Sequence, residues 1–264
     1  MNGQVGGEMT VDGSAGRRAL VLCGTRGIGL GVARCLARDG HSVTVQGTDP
    51  ARAAETAGGL PGTGHSSFAC DFARPDEVGK RVAETGPYDV MLLNSPGAAA
   101  GTVEGLSTEQ LRQAVDLMLL SLHSAVEAVL PTMRDNRWGR LVAVTSSSLA
   151  TPITGLAASS VVRAAVQSYL KLLAESVGRF GITVNHVIPG KIDTDRLRSV
   201  EAAGAARAGS DPDAVRTATL AAIPVGRYGT PQDVGELVSF LASDRAAYLT
   251  GVGIPCDGGY VRSI

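Results

Sequence analysis

Residues 19–29 read Ala-Leu-Val-Leu-Cys-Gly-Thr-Arg-Gly-Ile-Gly, and this stretch decides the fold. The apolar run Ala19–Cys23 predicts a buried strand, and the glycine-rich turn after it opens a helical pattern that runs to Arg38. Glycines at such a turn let the backbone approach a pyrophosphate, and the helix N-terminus behind them faces the phosphate charge. Alone the loop is a weak signal; after a strand and inside a strand–helix–strand unit it is much stronger. Outward from it, strands are predicted at Ser42–Gln46, Ser66–Cys70, Val90–Leu93, Arg140–Thr145 and Ile182–Val187, with a weaker one at Val252–Cys256. Helical patterns occupy Pro75–Glu84, Thr108–Met133, Leu156–Phe180 and Pro231–Ser243. Fully apolar strands alternating with helices predict a parallel sheet covered on both faces. Right-handed crossovers make it a doubly wound, Rossmann-type α/β fold of about seven strands. Neither repeat nor linker interrupts it, so residues 17–264 read as one domain.

The segment Asp195–Gly229 breaks the rhythm. It is rich in Ala and Arg, and Ser210-Asp211-Pro212 reads as a helix start, a cap residue followed by proline in the first turn. A long excursion there reads as a lid or insertion over a site; an oligomer contact or a plain surface helix is the blander alternative.

Composition excludes several classes. The 264 residues carry 24 Lys and Arg against 25 Asp and Glu, without a basic run, so neither nucleic acid nor an acidic membrane surface is an expected partner. Four cysteines (Cys23, Cys35, Cys70, Cys256) and four histidines (His41, His65, His123, His186) are scattered, whereas a zinc site needs clustered ligands, so no metal is expected. Buried thiols in a reducing cytoplasm are the simpler expectation. We find no apolar run of membrane-spanning length in the sequence pattern. The first sixteen residues lack an apolar signal core and read as a flexible tail, with Met9 as an alternative start.

From these residues a resemblance becomes specific. The opening ALVLCGTRGIG is followed in order by CDF at Cys70–Phe72, LLNSPG at Leu92–Gly97 and WGRLVAVTSSS at Trp138–Ser148. GITVNHVIPGKIDT at Gly181–Thr194 and GVGIPCDGG at Gly251–Gly259 complete the set. Together they resemble the short-chain dehydrogenase/reductase superfamily, in a branch similar to 3-oxoacyl-carrier-protein reductases, over residues 17–261. The resemblance implies that Gly24, Thr25, Arg26, Gly27, Ile28 and Gly29 cradle the cofactor phosphates. It implies that Asp71 and Phe72 border the adenine and that Asn94, Ser95, Pro96 and Gly97 line the cofactor floor. Pro189, Gly190, Ile192 and Thr194 would hold the nicotinamide carboxamide. Two departures bear on cofactor affinity: Cys23 stands where the family has its first glycine, and Ser95-Pro96 replaces its usual Asn-Ala. Homodimers or homotetramers built on the two long helices are also implied.

Cofactor choice follows from charge. An NAD enzyme places an acid at the end of the second strand to bind the ribose 2′-hydroxyl. Here that place is Gly47-Thr48, with Asp49 further out; the plain alternative for that acid is the start of a following helix. Without the acid a 2′-phosphate is not repelled, and Arg26 is available to pair with it, so NADP(H) is expected over NAD(H).

The chemical half departs further. The family's proton-transfer set is Asn, Ser, Tyr and Lys, and counting places Met118, Ser146, Ser159 and Arg163 at those positions. Ser146, Ser159 and Arg163 are therefore the candidate catalytic residues. Residues 159 and 163 lie four apart and share a helix face. An aliphatic hydroxyl is a far weaker acid than a phenol, and arginine stays charged and cannot relay a proton, although it can grip a carboxylate. Losing a positioned general acid costs about 10²–10⁴ in rate. Thr151-Pro152-Ile153-Thr154 after the serines resembles an atypical branch with an incomplete set. Lys191 and Asp193 flank the nicotinamide loop as conceivable substitutes, while Tyr169 and His186 read as core. Three readings follow. One is an NADPH-dependent reductase of a C=O, C=N or activated C=C that needs little protein acid. Another is a non-redox cyclase, isomerase or dehydratase on the same scaffold. The last is an inactive subunit or cofactor sensor.

Overall fold

The computed structural model describes residues 16–262. Residues 1–15 of the expected tail lie outside the described residues, and Gly16 donates its N–H to the Gly40 carbonyl. Seven strands form one parallel sheet: β1 Arg18–Val21, β2 Ser42–Gly47, β3 Ser66–Ala69, β4 Val90–Leu93, β5 Gly139–Val144, β6 Ile182–Pro189 and β7 Gly253–Cys256. Their order is β3-β2-β1-β4-β5-β6-β7, so the winding direction reverses between β1 and β4. Open α/β sheets bind ligands in the crevice that this reversal leaves outside the carboxyl ends of the strands.

Helices α1 Gly27–Arg38, α2 Pro50–Gly58 and α9 Pro231–Ala242 cover one face; α3 Pro75–Thr85, α4 Thr108–Val115, α5 Ser121–Asp135 and α6 Ala157–Val177 cover the other. Alternate strand residues feed the two layers, as a pleat requires: Leu20, Leu22, Met91, Leu93 and Leu141 one way, Ala19, Val21, Val90, Leu92 and Val142 the other. Helices α1 and α9 meet closely because a Cβ on Gly31 would run into the Pro231 carbonyl and one on Gly235 would lie 2.6 Å from the Cys35 sulfur.

The structure refines several elements. The pattern at 108–133 continues to Asp135 and is interrupted by a π-helical turn, Asp116–Leu120. There the Ser121 hydroxyl donates to the Asp116 carbonyl (2.9 Å) and the Phe72 carbonyl (2.6 Å), drawing out the main-chain ladder. This continuous helix, Thr108–Asp135, is long and apolar enough to span a membrane by length and composition only, a test that core helices also pass. Its apolar face is spent on the sheet, with Leu122, Ala125, Val126, Val129 and Met133 in the core. Helix α2 was absent from the predicted set, because only Ala53 and Ala57 of it are buried and no apolar stripe shows. The excursion 195–229 contains α7 Asp195–Ala208 and α8 Pro212–Ala222, the latter started by Asp211 as expected. Ala205 is the single buried residue of α7 and α8 has none, which is why their sequence lacks a core periodicity.

Candidate active site

The cradle begins where β1 ends. Cys23 takes a left-handed φ of 50°, a conformation that suits glycine, so the residue change noted in the sequence falls on a position of backbone strain. Gln46, fully buried at the end of β2, holds it there. Its side-chain carbonyl accepts the Cys23 N–H (2.8 Å), and its amide donates to the Gly47 (2.8 Å) and Cys70 (3.1 Å) carbonyls. Burial, with Cys70 close by, pushes the Cys23 thiol up to about 12, so it stays a neutral packing group. Gly29 faces the Cys23 carbonyl where a Cβ would collide.

Helix α1 starts without a side-chain cap at Arg26 and without an acid in its first turn. The N–H groups of Gly27, Ile28 and Gly29 therefore lack intrahelical partners and face the crevice, a ready anion site. The Thr194 methyl lies 3.4 Å from the Cβ position of Gly27, closing the cradle from the β6 side. Glycine at 47 makes room for Thr25, whose methyl would sit 2.6 Å from a Cβ there. Thr48 is exposed beside it, and Arg26 is exposed across the loop. Asp49, two residues beyond β2, is the N-cap of α2, its Oδ1 accepting from Ala51 (2.9 Å) and Arg52 (3.2 Å).

The remaining predicted cofactor positions follow the ends of β3, β4 and β6, with differing freedom. Asp71 accepts the Ala73 N–H (2.9 Å), whereas the Phe72 ring is committed to the core. Phe72 is buried whole, its carbonyl accepting the Ser121 hydroxyl, so Asp71 is the exposed member of the pair. Asn94, Ser95 and Pro96 follow β4, partly buried, and Gly97 is exposed. Pro189 ends β6; Gly190 donates to the Cys256 carbonyl (3.0 Å), with Asp257 too close for any Cβ. Ile192 is buried and bridges to Gly229, and the Thr194 hydroxyl caps α7.

In the chemical half, the Ser146 hydroxyl accepts the Ser148 N–H (3.1 Å) just past β5. Ser159 is buried on the first turn of α6. One turn on, Arg163 donates through Nη1 to the Val144 carbonyl (2.8 Å), which brings α6 onto the end of β5 two residues before Ser146. Burial lowers the Arg163 guanidinium to about 10, with the charge of Arg196 adding to the effect, so it remains a cation at neutral pH. Met118 is buried in the core at the π-turn.

Ser159 stands where the resemblance implies a tyrosine, and the five tyrosines of the chain lie at other positions. Tyr169 lies 3.1 Å from His123 Nδ1, its hydroxyl pushed up to about 12 by burial and by Glu127. Tyr228 donates to Glu201 (3.1 Å), Tyr88 is buried in the core, Tyr248 is exposed, and Tyr260 lies under Lys191. Lys191 pairs with Glu201 (3.9 Å) and Asp193 with Arg198, so both suggested substitutes are engaged in ion pairs. His186 is core, as expected, with its ring on the Thr145 hydroxyl (2.9 Å). Among the described residues no cluster of three metal-ligating side chains occurs. A concavity of about 490 Å³ lies elsewhere, between α6 and β7, and holds none of the predicted site residues. Sequence reasoning missed Gln46 and Arg196. A side-chain amide closing the alternating run Ser42–Val45 of β2 was a signal for the first; nothing marked the second.

A family model described as enoyl-(acyl carrier protein) reductase matches residues 23–261. The 3-oxoacyl-[acyl-carrier-protein] reductase MabA of Mycobacterium tuberculosis is 30% identical over 247 residues, 92% of each chain. Among solved structures, actinorhodin polyketide ketoreductase with NADPH superposes with a TM-score of 0.87 at 28% identity, covering 95% of this chain and 99% of that one. A 3-oxoacyl (acyl-carrier-protein) reductase from Agrobacterium tumefaciens with NADP bound gives 0.84 at 26%, covering 96% and 98%. With the sheet order, the uncapped glycine-loop helix and these matches together, the chain belongs to the short-chain dehydrogenase/reductase family.

Proposed function

We propose that this protein is an NADP(H)-dependent reductase that acts on a C=O, C=N or activated C=C of a small molecule without a tyrosine–lysine acid pair. The observation that carries this reading is the open N-terminus of α1 behind a glycine loop, beside a β2 end where Gly47 and Thr48 stand in place of an acid. Two of the solved relatives hold NADP or NADPH, in keeping with it. Gly24, Thr25, Arg26, Gly27, Ile28 and Gly29 would hold the phosphates, Thr48 and Arg26 the 2′-phosphate, and Asp71, beside the buried Phe72, the adenine. Asn94, Ser95, Pro96 and Gly97 would form the floor, with Pro189, Gly190, Ile192 and Thr194 at the nicotinamide.

When bound, the reduced cofactor supplies a hydride. This chain's residues orient the acceptor: Ser146 and Ser159 offer hydroxyl donors, and Arg163 stabilises negative charge without giving up its proton. Acceptors that tolerate this are iminium ions, which need no proton on hydride addition, and activated enones, whose product can be protonated by water. Helices α7 and α8 serve as the lid of the cleft. The four cysteines are unpaired, as a cytoplasmic setting permits.

Titration with NADPH and NADH by nicotinamide fluorescence tests the cofactor reading, with NADPH binding at least tenfold more tightly as the expected result. NADH binding equally well would remove it. Turnover of imines and enones above simple ketones is expected next. Should NADPH bind without turnover of any acceptor, the changed Met118, Ser159 and Arg163 would favour a non-redox enzyme or an inactive subunit.

A further inference from the structure

Three arginines of α6 and α7 border the loops after β4 and β5 without a carboxylate partner among the described residues. Arg163 rises from α6 and spends one nitrogen on the Val144 carbonyl, leaving the rest of its guanidinium unbonded. Arg196, on the first turn of α7, lies flat against Gly97: Nη2, Cζ and Nε are 3.2, 3.6 and 3.6 Å from a Cβ placed there, and Nη2 donates to the Ala98 carbonyl (3.0 Å). Arg207, near the end of α7, brings Nη2 within 2.9 Å of the Cβ position of Gly155. The two loops that they touch are one rim, since Gly101 donates to the Gly155 carbonyl (2.9 Å) and Ala157 to the Gly101 carbonyl (3.1 Å).

The acids nearby are already occupied. Asp193 and Asp195 both bind Arg198, and Glu201 serves Lys191 and Tyr228. Glu104, on the exposed loop beyond the rim, forms no ion pair with any of the three arginines. Desolvating an uncompensated guanidinium is costly, and the lowered Arg163 value reports that cost.

We propose that the substrate carries a carboxylate, bound by Arg163 and Arg196 at the inner end of the cleft beside Ser146 and Ser159, with Arg207 at the rim drawing it in. This rests on the reductase reading and names its substrate class. The free edge of Arg163 matches a planar two-oxygen acceptor. Phosphate in the cofactor has its own site on α1, on the opposite face of the sheet from α6. A carboxylate conjugated to the reducible bond also complements a site with a cation and no phenol, because Arg163 can offset negative charge that builds up on hydride addition.

The test is calorimetric titration of the full chain, with and without saturating NADP⁺, using benzoate, benzamide and phenyl phosphate at fixed ionic strength. The expected result is benzoate binding roughly tenfold or more above benzamide, the scale of a charged hydrogen-bonded pair. Arg163→Gln should abolish that preference, and Arg163→Lys should keep only part of it because the fork is lost. Arg196→Gln, at an exposed position that leaves the core intact, should reduce it as well. Equal binding of benzoate and benzamide, or binding of neither, overturns the proposal, and phenyl phosphate binding tenfold above benzoate overturns the choice of carboxylate. NADPH titration of the same variants separates the two readings. A protein that selects benzoate but binds no nicotinamide keeps the anion site and loses the cofactor reading. If Arg163→Gln weakens NADPH and leaves benzoate unchanged, Arg163 is a cofactor clamp and the proposal falls.

Discussion

Single residues decide most of what is unusual here. Cys23 sits at a φ of 50°, where a side chain costs about 1–2 kcal/mol. Comparing Cys23→Gly with Cys23→Ala removes the sulfur from both, so the glycine variant should be the more stable by about 1 kcal/mol in urea melts. Equal stabilities would show that Gln46 leaves no strain at this turn. At the proton-transfer positions, the double variant Ser159→Tyr with Arg163→Lys should raise NADPH-dependent turnover of a simple ketone by about tenfold or more, within the 10²–10⁴ that a positioned acid supplies. An unchanged rate would make both residues structural. Counting along the sequence places residues 159 and 163 on one helix face, because residues four apart on a helix lie one above the other. Counting could not reveal that Arg163 reaches the Val144 carbonyl, or that Lys191 and Asp193 are held by Glu201 and Arg198.

At the scale of elements, helix starts were the most legible feature. Thr230 and Asp233 form a reciprocal capping box at α9, and Arg227 grips the same carboxylate at 2.8 and 2.9 Å. The Arg227 guanidinium, with Thr230 after it, holds the Asp233 carboxyl well below the usual carboxylate range. A carboxyl whose folded value is depressed contributes in full above its unfolded value, near 3.8, and loses that contribution as pH falls through the folded value. Asp233→Asn should therefore cost about 1 kcal/mol at pH 7, and the gap should narrow below roughly pH 3. Denaturant melts at the two pH values check this; a gap that does not change with pH would assign the loss to the box geometry alone. Strand positions were legible to within a residue or two from apolar runs, whereas α2 was missed for want of an apolar stripe and the π-turn because Ser121 bonds to Phe72, distant in sequence.

At the scale of the whole molecule, β7 is an edge strand, and Leu172 on α6 and Tyr248 before β7 are exposed large side chains on the described chain. Family resemblance makes assembly through the long helices the natural cover for such surface. Sedimentation at micromolar concentration should give two or four times the 27.0 kDa chain mass; a monomer would remove this expectation. The reversal of strand order between β1 and β4 places the α1 N-terminus, the β4 loop and the β6 end on one crevice.

The sequence by itself determined the strands of the sheet and the glycine loop, because apolar periodicity and φ demands are local properties of the chain. Only the tertiary structure decided where the charges go. Asp49 is a cap, Asp193 and Glu201 are taken up by Arg198 and Lys191, Arg163 reaches Val144, and Arg196 and Arg207 lie against Gly97 and Gly155. Electrostatic partners are chosen by proximity in space, and proximity between β5, α6 and α7 exists only after the chain has folded.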